Sequence, residues 1–183
     1  MQDTMSETQT SSSGSPFWRF SLQFYRLPGV AEACIRLQEE AGADVNLLLF
    51  LLWHSALGRR LSAAEIAQLE ERIGPWRDLT VIPLRAVRRA LKSPPGLVAA
   101  GTAEAFRTRI KAVELEAERL QQEAMHDLAR VSPLGETASS VAEAARSNVA
   151  AYEKICRAAF PEPAVNTVLE ALAKSKLRSG SRS

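Results

Sequence analysis

The chain has 183 residues and a mass of 20.0 kDa, enough for one domain with a real core and too little for two. Its 46% hydrophobic and 24% charged residues exclude global disorder and a collagen-like chain, and a net charge of +2 sets up no global field toward a partner. The 29 Ala and 22 Leu, against 11 Val and 6 Ile, favour helix and argue against a sandwich or barrel.

Residues 1–15 are polar and Ser/Thr-rich and read as a disordered tail, without the basic start and apolar run of a secretory signal. Pro16 suits a first helical position and opens an aromatic helix carrying Phe17, Trp18, Phe20, Phe24 and Tyr25, broken by Pro28-Gly29. These aromatics either wrap the core on two sides or leave a sticky face for a partner, and the core reading is preferred. A second helix runs over 30–41, with Gly42 as its C-terminal cap. Asp44 caps a third, over about 45–57, whose run Leu47 to Trp53 is apolar on every face; such a helix belongs at the centre of a domain. That run has seven residues, where a membrane span needs about 20, so no insertion is expected.

Ser62-Ala-Ala-Glu65 has the form of a capping box and opens a fourth helix, which Gly74-Pro75 is expected to end. Trp76 to Lys92 is helical in pattern, but Pro83 must kink or divide it. Pro94-Pro95-Gly96 is a break. A long helix follows from Thr102 to about Arg130, with Phe106, Ile110, Val113 and Leu120 expected as its buried stripe. A helix over about 136–159 and a last one over 164–174 complete the pattern, and residues 175–183 form a short basic tail with Lys176, Arg178 and Arg182. The expected fold is all-α: one compact domain of about seven helices over 16–174, with a central helix buried on all sides.

Charge is unevenly placed. Residues 77–111 hold eight positive and two negative side chains, while 112–131 hold five negative and two positive. Arg85, Arg88, Arg89 and Lys92 stand at i, i+3, i+4 and i+7, on one helix face. Such a stripe can bind phosphate, nucleic acid or an acidic protein, or pair internally with acids such as Glu114, Glu116 and Glu118. No aromatics interleave with it, which argues against single-strand nucleic-acid binding. A second constellation is Asp44, Asn46, His54, Trp76 and Arg77, read either as caps and core or as the lining of a pocket for an anion. His54 and His126 lie on separate helices without metal-ligand spacing, and no metal or cofactor is expected. Cys34 and Cys156 are far apart, as in a reduced, cytoplasmic protein. No phosphate-cradling glycine loop, nucleophile elbow or dinucleotide fingerprint occurs.

Several of these motifs occur in a recognisable order. Phe17-Trp18-x-Phe20-Ser21-Leu22, Tyr25, Pro28-Gly29-Val30 and Ala33-Cys34 precede Asp44-Val45-Asn46-Leu47-Leu48-Leu49-Phe50 and Trp53. Trp76-Arg77, Pro83-Leu84-Arg85-x-x-Arg88-Arg89-x-Leu91-Lys92 and Glu114-Leu115-Glu116-Ala117-Glu118 follow. This string resembles a proteobacterial family of conserved hypothetical proteins, a domain of unknown function, over about residues 16–125; residues 126–174 look like a helical extension. The resemblance implies a small cytoplasmic bacterial helical protein, and no activity, cofactor or substrate. The leading functional expectation is a non-enzymatic module whose basic face, Arg85, Arg88, Arg89 and Lys92, docks an acidic protein. The alternatives are a protein or enzyme that binds a small anion near Asp44, His54 and Arg77, and nucleic-acid or ribosome association.

Overall fold

The computed structural model describes residues 14–175, so the expected tails, 1–15 and 175–183, lie almost wholly outside it. The elements in order are α1 (Pro16–Tyr25), α2 (Val30–Ala41), α3 (Val45–Ala56), β1 (Arg59–Arg60), α4 (Ala63–Trp76), a π-helical turn (Arg77–Val81), α5 (Ile82–Ala90), α6 (Ala100–Val131), β2 (Glu136–Thr137), α7 (Val141–Cys156) and α8 (Glu162–Lys174). α4, the π turn and α5 form one unbroken helical run, which leaves seven such runs among the described residues.

α3 is the centre. Leu47, Leu48, Phe50, Leu51 and Leu52 are fully buried, and each large side chain removed from water contributes roughly 1.5–3 kcal/mol. α1 lies against it: Phe17 meets Phe50 edge-on, with ring centroids 5.1 Å apart. The aromatic helix is therefore a core element, with Phe17, Trp18, Phe20 and Phe24 buried and only Tyr25 reaching solvent. α7 packs on α3 and α8 packs on α2. Ala145, Val149, Tyr152, Phe160, Ala164, Val168 and Leu172 join the same core as α1–α4, so residues 126–174 complete the packing of the part before them. No helix among the described residues is long and apolar enough to cross a membrane.

Three expectations are corrected. The fourth helix does not stop at Gly74-Pro75 but continues to Trp76, and the following π turn absorbs Pro83. The wider i→i+5 bonding, with Ile82 N–H reaching the Arg77 carbonyl, re-spaces the chain ahead of a residue that has no N–H to give. Residues 136–137 are not helical. They pair antiparallel with 59–60, and α7 begins at Val141, where the Ser140 side chain accepts from the Glu143 N–H. Gly135 makes this turn possible: it has a φ of 71°, and a Cβ there would stand 2.7 Å from the Arg60 carbonyl oxygen. In α6 the buried positions are Ala103, Glu114, Ala117, Gln121, Gln122 and Met125, whereas Phe106, Val113 and Leu120 face solvent. The stripe is displaced because α6 turns polar groups inward.

Candidate functional site

The polar groups of α6 meet the N-terminus of α3. Asp44 is buried, and its Oδ1 accepts from the N–H groups of Asn46 (2.8 Å) and Leu47 (3.3 Å), as an N-cap should. Its Oδ2 accepts from Gln121 Nε2 at 2.8 Å and from Arg77 Nη1 at 3.4 Å. Asn46 donates through Nδ2 to Gln121 Oε1 at 3.2 Å and accepts at Oδ1 from Gln122 Nε2 at 2.8 Å. The Asp44 N–H donates to the Tyr152 hydroxyl at 2.8 Å. Burial, with Asp44 nearby, pushes the Tyr152 phenol well above its ordinary value, so it stays protonated. Arg77 also bonds Glu70 (2.6 Å) and Asp78 (3.0 Å). Burial opposes its charge, yet the hydrogen bond and charge of Glu70, with Asp44 and Asp78, hold it firmly cationic.

A second set of ion pairs stands beside this network. Arg85 donates to Glu114 (3.1 Å) and Glu118 (2.9 Å), and Arg88 grips both oxygens of Glu114. Burial alone would raise the Glu114 carboxyl, but the hydrogen bonds and charges of Arg88 and Arg85 outweigh it and hold it below the usual range. Burial wins at Glu118, whose carboxyl is raised despite Arg85. Arg89 reaches Glu39 at 2.7 Å near the surface. Lys92, Lys111 and Arg26 make no ion pair among the described residues.

Most of these groups, but not Glu70, Gln121 or Tyr152, line one cleft of about 1420 Å³ between α1, the end of α2, the start of α3, the π turn, α5 and the middle of α6. Trp18, Leu22, Tyr25, Ile35, Leu49 and Leu115 supply apolar lining, and Arg26, Arg89, Lys92 and Lys111 add cations. Ser21 Oγ and Gln122 Oε1 belong to buried residues on this lining and have no hydrogen-bond partner among the described residues. The structure thus brings together Arg85, Arg88, Arg89, Lys92, Asp44, Asn46 and Arg77, which the sequence placed in two separate groups. Trp76 does not join them. It is partly exposed, and its indole N–H donates to the Ala117 carbonyl at 3.0 Å. Sequence reading missed Gln121, Gln122 and Tyr152, which counted only as helix surface or core. A glutamine pair in the last third of an otherwise charge-laced helix was the available signal.

His54 is elsewhere. It lies near the other end of α3, in a depression of about 370 Å³ lined also by Trp53, Arg59, His126, Arg130 and Leu134. Asp44 and His54 therefore do not share a cavity. The imidazole is buried against Phe50 and Trp53, and neither ring nitrogen has a partner among the described residues. Burial, then the charges of Arg59 and His126, lower its pKa from 6.5 to about 4, with Glu65 opposing. Between those values the unfolded chain binds the proton and the folded one does not. Stability is therefore complete above about pH 6.5 and falls as the pH drops toward 4. The expected loss is about 2–3 kcal/mol, and His54→Phe should abolish that slope in urea unfolding at pH 7.0 and 4.5. Equal slopes in both proteins would contradict this reading. Burial pushes the Cys34 thiol up to about 12, which leaves it without nucleophilic character near neutral pH. Among the described residues no three His, Cys, Asp or Glu side chains are placed to hold a metal ion.

No curated protein and no solved structure matches the chain. Residues 16–125, more than half of the chain, match the model of a family described as protein of unknown function, DUF2390. Every residue lining the large cleft, from Trp18 to Gln122, falls inside the matched region, whereas the His54 depression draws on residues beyond it. The chain belongs to the DUF2390 family.

Proposed function

We propose that the protein is a non-enzymatic docking module, and that its cleft receives an acidic, amphipathic segment of a partner protein. The observation that carries this reading is the pairing of an apolar lining with unpaired cations. Leu22, Tyr25, Ile35 and Leu115 offer apolar surface, while Lys92, Lys111 and Arg26 have no acid to neutralise them among the described residues. A helix lying in a groove uses this combination, with apolar anchors for affinity and charge for orientation and rate of encounter. The volume favours a peptide over a small metabolite, since small-molecule pockets enclose about 300–1,000 Å³.

Arg85 and Arg88 are committed to Glu114 and Glu118, so they build the wall of the cleft rather than reach for the partner. The docking cations are then Lys92 and Lys111, with Arg89 able to exchange its exposed Glu39 contact, which is worth little in water. The test is a tagged purification from the native host, wild type beside Lys92→Glu/Lys111→Glu. A bound protein with an acidic amphipathic segment, held by the wild type and lost from the folded variant, is the expected result. The same partner retained by the variant overturns the proposal. Nucleic acid in place of protein, released steeply by salt, would transfer the cleft to the alternative of nucleic-acid association.

A further inference from the structure

α6 runs for 32 residues, about 48 Å at 1.5 Å per residue. Its core-facing arc includes Ala103, Glu114, Ala117, Gln121 and Met125, and its cleft-facing arc includes Lys111, Leu115, Glu118 and Gln122. Phe106, Val113 and Leu120 belong to neither. Each is seven residues from the next, close to two full turns, so they form one line about 21 Å long. They are 43–52% exposed. Trp76, 39% exposed, lies alongside, bonded to the carbonyl of Ala117, which is within one turn of both Val113 and Leu120. Leu79, in the π turn that follows Trp76, is 77% exposed. Val113 is two residues from both Lys111 and Leu115, about 200° around the helix. The strip therefore faces away from the cleft.

Single exposed apolar side chains are ordinary, but a seven-residue repeat of them is the pattern by which two helices pack side by side. The charges flanking the repeat select the partner. Beside the strip, Arg109 stands in the first half of α6 and Glu116 at the start of the second. Arg109 makes no ion pair among the described residues and lies over the Phe106 ring, 5.4 Å from its centroid. Among the described residues Glu116 reaches only Arg119, one turn away at the surface. A complementary helix must be acidic opposite Arg109 and basic opposite Glu116, and α6 running in reverse satisfies both conditions. Its opposed helix dipoles agree as well.

We infer that the strip is a self-association surface: two copies of the chain pair antiparallel through α6, about a two-fold axis at Val113. Phe106 of one copy then packs against Leu120 of the other, and Arg109 lies beside Glu116 across the axis. Trp76 widens the contact. So few apolar side chains make a small interface, and the dimer is reversible, with a dissociation constant on the order of micromolar. This inference is independent of the cleft and its occupant.

Sedimentation equilibrium of the full chain over about 5–500 μM tests it. The weight-average mass of the wild type should climb from 20.0 kDa toward twice that value. Val113→Lys, at an exposed site, should stay monomeric throughout with an unchanged far-UV circular dichroism spectrum. Arg109→Glu and Glu116→Arg should each weaken association about three- to tenfold, and the double variant should recover it to within about threefold of wild type. That recovery is specific to the antiparallel register. A wild type that remains a monomer at 500 μM overturns the inference. So does a Val113→Lys chain that dimerises like wild type, or a double variant that fails to recover.

Discussion

Arg88→Glu should destabilise the fold by about 3–5 kcal/mol, the penalty of breaking a buried ion pair and leaving like charges together. Arg88 holds both oxygens of Glu114, which is buried beneath α5, while Arg85 holds a single Glu114 oxygen and divides its donors with Glu118. A glutamate at position 88 removes the stronger grip and adds a third carboxylate to the pair. Arg88→Ala, which only vacates the site, should cost less, about 1–2 kcal/mol, because Arg85 remains. Urea midpoints of the three proteins at pH 7 separate these effects. A glutamate variant as stable as wild type would show the pair to be a solvated surface contact. The consequence for function is practical: charge reversal at Arg88 tests folding before it tests binding.

Asp44→Ala should cost about 3–4 kcal/mol. About 1 kcal/mol comes from the lost cap of α3, and the rest from Gln121, which loses its acceptor in a buried setting, and from Arg77, which keeps Glu70 and Asp78 but loses its third carboxylate. Asp44→Asn separates the two contributions. An amide still caps the helix but turns an N–H₂ group toward either Gln121 or Arg77, both of which donate. It should fall between wild type and Asp44→Ala. An alanine variant within 1 kcal/mol of wild type would mean that the network does not fix the α3–α6 contact.

The all-α fold, the central helix and most caps were legible because each has a local cause. The Ser62–Glu65 capping box forms as its spacing requires, and Gly42 takes the left-handed conformation at the end of α2. The failures share a different cause. Apolar periodicity in α6 pointed to Phe106, Val113 and Leu120, but the side actually buried carries Glu114, Gln121 and Gln122. Burying a polar side chain is costly unless partners meet it. Those partners, Arg85, Arg88, Asp44 and Asn46, come from 26 to 77 residues away. The β1–β2 pairing was hidden for the same reason: two residues per strand leave no pattern, and the contact spans 76 residues.

The candidate site was legible as residues but not as a place. Arg85 to Lys92 were visible as a helical stripe, and Asp44, Asn46 and Arg77 as a polar group near a helix start. That they line one cleft follows from α5 and the π turn folding back along α6, a tertiary fact. His54 was grouped with Asp44 because both belong to the central helix; its position nearly three turns further on places it in another cavity.

The most direct test of the docking account is a titration of ¹⁵N-labelled protein with an acidic amphipathic helical peptide, followed by amide shifts, in wild type and Lys92→Glu/Lys111→Glu. The account predicts shifts confined to Trp18–Tyr25, Ile35–Asn46, the π turn, α5 and residues 111–122 in the wild type. It predicts at least tenfold weaker binding in an equally stable variant, and no binding of a basic peptide of the same pattern. Equal affinity in both proteins, or shifts scattered outside the cleft, would contradict it.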